Sequence, residues 1–202
     1  MRPNTIDIDV ADANLTGFAS NVTGGTWTIS TTATTDGLAH QVSIRNDSAT
    51  DHSAKTAILT GTDENGAAQT ETVNLPTTSA TIESTKYFKT LTTVVPSASI
   101  GADTMDIGWV DEVASNWYPV NWRAENPVAI SVDVTGTIDF TVQETFVDIL
   151  GGVAPSWVSI SALAAKTADT NSTGTAGATA IRLIVNSYSS AAELQMYTSQ
   201  TD

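Results

Sequence analysis

Cysteine is absent from this 202-residue chain, and histidine occurs only twice. The first absence excludes disulfide scaffolds, thiolate zinc sites, iron–sulfur clusters and cysteine nucleophiles. The second leaves little for metal ligation or for imidazole acid–base work. Positive charge is also scarce, with 8 Lys and Arg against 22 Asp and Glu and a net charge of -14. A nucleic-acid groove needs clustered Lys and Arg, so nucleic acid is excluded as a partner. No window approaches the ~18 uncharged apolar residues of a membrane span. The opening residues, Met1 to Asp7, lack the apolar core of a signal peptide. The expectation is synthesis in a cytoplasm, without Sec export and without a membrane partner.

What the chain does contain is threonine: 34 residues, with 19 serines besides. Hydrophobic residues reach 41% while charged residues are only 15%, which is not the composition of a disordered chain. Thr is β-branched and favours strands, so a Thr-rich chain with few strong helix formers reads as sheet with polar outward faces.

Period-2 alternation supports this along the length. Ile6, Ile8 and Val10 alternate with Asp7 and Asp9. Strands are expected at 26–32, 39–46, 56–62, 69–75, 87–95 and 105–110. Asp63-Glu64-Asn65-Gly66 is a hairpin signal, since Asn-Gly tolerates the positive φ of a tight turn. A stretch with Trp117, Tyr118, Pro119, Trp122 and Pro127 reads as a linker packed against something. A second β pattern follows at 128–134, 138–147, 181–186 and 194–198. Gly151-Gly152 marks a turn, and 161–178 reads as a mobile loop with a helical turn at 162–166. For 191–196, strand is preferred over helix because Leu194, Met196 and Thr198 alternate.

The fold class expected is all-β: two small antiparallel β-sandwich units, Ig-like or jelly-roll-like, in tandem. Their bounds are 1–112, with a possible extended arm over 1–12, and 113–202. A single continuous sandwich stays open.

Chemistry-bearing patterns are few. His40 and His52 stand beside no ligand pair. Serines lack a nucleophile elbow, and there is no phosphate-binding glycine loop. Asp106 and Glu144 are the carboxylates worth weighing for glycoside hydrolysis, and both read as strand positions. Asp63-Glu64-Asn65-Gly66 and the set Asp7, Asp9 and Asp12 offer oxygens to calcium, but neither has the EF-hand spacing. Solvated turn acids are preferred in both places, so no cofactor or metal is expected, and the chain is not read as an enzyme. Trp117, Tyr118 and Trp122 suit a domain junction, a subunit interface or a sugar-stacking platform. With Ile6 and Ile8 of the possible arm, they form the candidate interface set.

Two segments carry a family resemblance. The first runs Thr60-Gly61-Thr62-Asp63-Glu64-Asn65-Gly66, then Thr70-Glu71-Thr72, then Phe88-Lys89-Thr90-Leu91-Thr92-Thr93-Val94-Val95-Pro96-Ser97-Ala98. The second runs Val132 to Ile149, then Pro155-Ser156-Trp157, then Ala180-Ile181-Arg182-Leu183-Ile184-Val185-Asn186-Ser187. Both resemble β modules of tailed-bacteriophage virion structural proteins, of the head decoration or cement type. The resemblance implies a non-enzymatic protein on the capsid surface that binds the major capsid protein as a homo-oligomer, with a trimer favoured. It carries no catalytic residues. A head–tail adaptor or tail component, or a carbohydrate-binding module of a surface protein, is the alternative.

Overall fold

The computed structural model describes residues 4–151 and 153–200. Met1 to Pro3 of the possible arm, and Gly152 of the expected Gly-Gly turn, lie outside the described residues. The chain is all-β, as expected, with fifteen strands and one 3-10 turn among the described residues. In chain order these are β1 (Asn4–Asp9), β2 (Asn14–Val22), β3 (Ala39–Asn46), β4 (Thr56–Thr62), β5 (Ala68–Asn74), β6 (Thr81–Phe88), β7 (Thr90–Pro96) and β8 (Met105–Ala114). Then follow β9 (Tyr118–Pro119), β10 (Ala129–Thr135), β11 (Ile138–Thr145), β12 (Val158–Ser159), the 3-10 turn Ser161–Leu163, β13 (Thr170–Thr173), β14 (Ala180–Tyr188) and β15 (Glu193–Ser199).

Two compact units result. One is Ala11–Val113; the other joins Met1–Val10 to Ala114–Asp202. The first ten residues therefore do not belong with the unit that follows them, as the expected 1–112 assignment had it. The physical reason is the pairing of β1, which lies antiparallel to β15 with Ile6 opposite Met196 and Ile8 opposite Leu194. All four side chains are buried on one face of that sheet, while the backbone edge of β1 pairs with β15. The two units are thus not in simple tandem: one is inserted after the first strand of the other.

In the Ala11–Val113 unit, β8 pairs with β2, β3 pairs with β6, and a separate three-stranded sheet has the order β5-β4-β7. One core joins the two sheets. Phe18, Val42, Ile44, Phe88, Met105 and Ile107 come from the first, and Ala57, Leu59, Val73, Leu91 and Val94 from the second. Each large side chain buried there contributes about 1.5–3 kcal/mol relative to exposure. The segment expected as one strand over 87–95 is two strands, because the chain changes sheets at Lys89: β6 pairs with β3, and β7 pairs with β4. The hairpin between β4 and β5 turns where expected, with Gly66 at φ 86. Gly61 is required for a different reason, since a Cβ there would lie 1.8 Å from the carbonyl oxygen of Thr90. The expected strand at 26–32 survives only as an isolated bridge from Trp27 to Val94.

The other unit holds a four-stranded sheet of order β1-β15-β10-β13, and β14 pairs with β11 and β9, with β12 beyond β11. Part of the expected loop over 161–178 is the edge strand β13, held by β10. Residues 193–199 are strand, with Leu194, Met196 and Thr198 inward.

Candidate functional site

The interface residues expected from the sequence separate into two groups. Ile6 and Ile8 are 4% and 2% exposed and serve the sheet of their own unit. Their side chains are therefore not a free contact surface. Trp117 and Tyr118 are half-buried, and Tyr118 lies opposite Ile181 in the β9–β14 pair. Burial pushes its phenol above the usual tyrosine range. Trp122 is the member mostly in solvent, at 55% exposure, with the Arg123 guanidinium 4.7 Å from its ring centroid. A second cation–π pair sets Arg182 4.5 Å over Trp157.

An exposed apolar stretch was not foreseen. Phe146, Leu150, Val153 and Val158 all stand half or more in solvent, Leu150 at 87%. The first three lie on the connection from β11 to β12, which is shaped by an Asx turn at Asp148, and Val158 opens β12. The signal was legible: Phe146-Val147-Asp148-Ile149-Leu150 breaks the strict alternation of the preceding strand, so its apolar residues cannot all face one core.

The two histidines are buried and differ in what surrounds them. His40 Nδ1 lies 2.8 Å from the Val110 carbonyl, and Nε2 lies 2.8 Å from Asp36 Oδ2. Both partners accept, so both bonds form together only on a doubly protonated ring. Asp36 also accepts the backbone N–H groups of Ala11 and Leu38. Burial alone would raise its carboxyl, but the hydrogen bond from His40 and those from Ala11 and Leu38, with the His40 charge, hold it well below the usual carboxylate range. His52 faces one partner of each kind. Its Nε2 lies 3.0 Å from Asp103 Oδ2, and its Nδ1 accepts from Lys55 Nζ at 3.2 Å. Both rings are therefore committed to structural contacts.

The weighed carboxylates are committed as well. Asp106 accepts from the Asn21 N–H at 2.9 Å and from Arg45 Nη2 at 2.5 Å. Glu144 accepts the backbone N–H and the hydroxyl of Thr175. They belong to different units. At the hairpin tip, Asp63 Oδ1 accepts from the N–H groups of Asn65 and Ala67, which makes it a turn former. Among the described residues no group of three or more His, Cys, Asp or Glu is placed to hold a metal ion.

The outward sheet faces are the larger surfaces. On the four-stranded sheet, Asp9 stands opposite Glu193, and Asp7, Gln195 and Asp133 form the next row. All five are exposed, so this face is acidic. On the three-stranded sheet, the outward rows are Thr72, Ile58 and Val95, then Thr70, Thr60 and Thr93. No charge stands on them.

Comparison with family models, with curated proteins and with solved structures returns no match.

Proposed function

We propose that this chain is a non-enzymatic structural protein of a tailed-phage virion, acting as a decoration or cement protein that binds and stabilises the outer capsid shell. Its two units are read as small antiparallel β-sandwiches of Ig-like or jelly-roll-like type. Its partners are the major capsid protein and further copies of itself, for which the resemblance favours a trimer. It works on the capsid surface after synthesis in the host cytoplasm.

The observation that carries the reading is the exposed apolar stretch at Phe146, Leu150, Val153 and Val158. An acidic chain gains solubility at high copy number from its charge, and it has no reason to keep such a stretch in water unless a partner covers it.

Cosedimentation with purified shells is the test. The wild-type chain is expected to pellet with shells, and a Leu150→Asp, Val153→Asp double variant to lose at least about tenfold in affinity, since hot-spot anchors carry ~2 kcal/mol or more. A chain that never pellets with shells overturns the decoration role, and localisation to the portal axis by cryo-electron microscopy assigns it to the neck or tail instead. The exposed indole of Trp122 favours a second reading, a carbohydrate-binding module. Glycan-array binding that is lost on Trp122→Ala would select it.

A further inference from the structure

His52 is 3% exposed, and its two ring nitrogens meet groups of opposite kind. The Asp103 carboxylate, 3.0 Å from Nε2, can only accept, so Nε2 carries a proton. The Lys55 ammonium, 3.2 Å from Nδ1, can only donate, so Nδ1 carries none. These contacts fix the ring as the neutral Nε2–H tautomer, and the ammonium stands where a second ring proton would point. His40, between two acceptors, is the opposite case. The charged groups facing the His52 ring are Asp103, from the connection between β7 and β8, and Lys55 and Asp51, from its own connection between β3 and β4. Asp51 is exposed and turns a carboxylate oxygen to the Ser53 N–H at 2.8 Å.

The same contacts tie the two connections together. Lys55 Nζ also donates to the Ser99 carbonyl at 2.8 Å. Residues 51–55 therefore hold residues 98–103 at two points, Asp103 through His52 and Ser99 through Lys55. Backbone bonds flank the tie, from the Ser97 N–H to the Thr56 carbonyl at 2.7 Å and from the Asp47 N–H to the Thr104 carbonyl at 3.2 Å. Between them lies Ile100, 3% exposed and part of the core of this unit. Its N–H donates to the Gly24 carbonyl at 2.9 Å.

We propose that Asp103, His52 and Lys55 form an acid-released clasp on the segment 98–103. A second proton on His52 enters at Nδ1, where it faces the Lys55 ammonium donor to donor and charge to charge. The ring is buried, so solvent and salt screen that repulsion little. Lys55 is the partner that leaves, because the bond from Nε2 to Asp103 becomes charge-assisted and strengthens. The Ser99 carbonyl then loses its donor, and the segment is no longer held at its Ser99 end. What the release uncovers is the Ile100 side chain, an apolar contact withheld at neutral pH. Imidazole is the side chain whose charge changes between about pH 5 and pH 8, so mild acid is the signal.

Hydrogen exchange of the Ile100 amide in the full chain, corrected for the intrinsic rate, tests this at about pH 7.5 and about pH 5. Protection is expected to fall at least about tenfold in acid, the loss that goes with one hydrogen bond from a charged group. In Lys55→Met the Ser99 carbonyl lacks this donor at either pH, so protection should be low at both and the acid step should vanish. His52→Gln keeps a donor for Asp103 and an acceptor for Lys55 but nothing to charge. Its protection should stay near the neutral wild-type level at both pH values. Nitrogen-15 spectra of the wild-type ring, which need no variant, should show Nδ1 bare at about pH 7.5 and protonated where protection is lost. Three results overturn the clasp: wild-type protection that acid leaves unchanged, an acid step that persists in either variant folded by circular dichroism, or a proton on Nδ1 at about pH 7.5.

Discussion

The four-stranded sheet of one unit and the three-stranded sheet of the other have the same inner side and opposite outer sides. Inward, both carry buried aliphatic side chains: Ile6, Met196 and Val132 in one row of the first, and Ala57, Leu59, Val73 and Val94 on the second. Outward, one carries Asp7, Asp9, Asp133 and Glu193, and the other carries threonine with Ile58 and Val95. Period-2 geometry couples the inner side to the fold and releases the outer side from it. The outer composition is therefore information about surroundings and not about architecture. Thr makes the uncharged version viable, because its branched side chain keeps strand propensity where charge is withheld.

The largest expected effect tests whether the two sides of one strand really differ in this way. Leu59 is fully buried and Ile58, the residue before it, is half exposed. Leu59→Ala should lower the unfolding free energy by about 2–5 kcal/mol, through lost burial and a residual cavity. Ile58→Ala should cost about 1 kcal/mol or less, comparable to cross-strand pair terms. Urea denaturation of the two variants measures both. Equal losses would mean that the face holding Ile58 is not free of the core.

Much of this contrast was legible in the sequence, and the limits are instructive. The strand Thr56–Thr62 and the Asn65-Gly66 turn follow from local alternation and turn chemistry, and both stand where expected. Alternation also made Asp7 and Asp9 outward residues. It could not name the partner of β1, because pairing with β15 joins opposite ends of the chain and periodicity carries no long-range address. For the same reason Ile6 and Ile8 looked available for an interface. The break at Lys89 was hidden because β6 and β7 are separated by that one residue, and only their partners differ. Of the candidate surfaces, Trp122 was found by residue type, whereas the rows of Thr60 and Ile58 emerge only once register aligns three strands.

The next effect in size separates acids on a face from an acid within the fold. Asp36 holds His40 and the backbone of Ala11 and Leu38 with one carboxylate. Its folded pKa is depressed, so its contribution is complete above the ordinary Asp value near ~4 and is lost as pH falls below that toward the folded value. Acidification from about pH 6 to about pH 3 should therefore destabilise the wild-type chain through this group. Asp36→Asn should cost about 1.5–3 kcal/mol near neutral pH, the worth of hydrogen bonds to a charged group, and should flatten that acid dependence. Urea midpoints at the two pH values decide it. An undiminished acid dependence in the variant would remove Asp36 as its source.

The smallest effect concerns the acidic face alone, and its sign matters more than its size. Asp9 and Glu193 are direct cross-strand neighbours in the β1–β15 pair, and both are exposed. Like charges placed directly opposite destabilise a sheet by roughly 0.2–1 kcal/mol. Glu193→Gln keeps the shape of the side chain and removes one of the two charges, so it should raise stability by a few tenths of a kcal/mol. Added salt should stabilise the wild-type chain more than this variant, because it screens a repulsion that the variant no longer has. Thermal melts at low and high salt compare the four conditions. A variant less stable than wild type would show that these acids help hold β1 to β15, and the outer side of this sheet would then be part of its architecture after all.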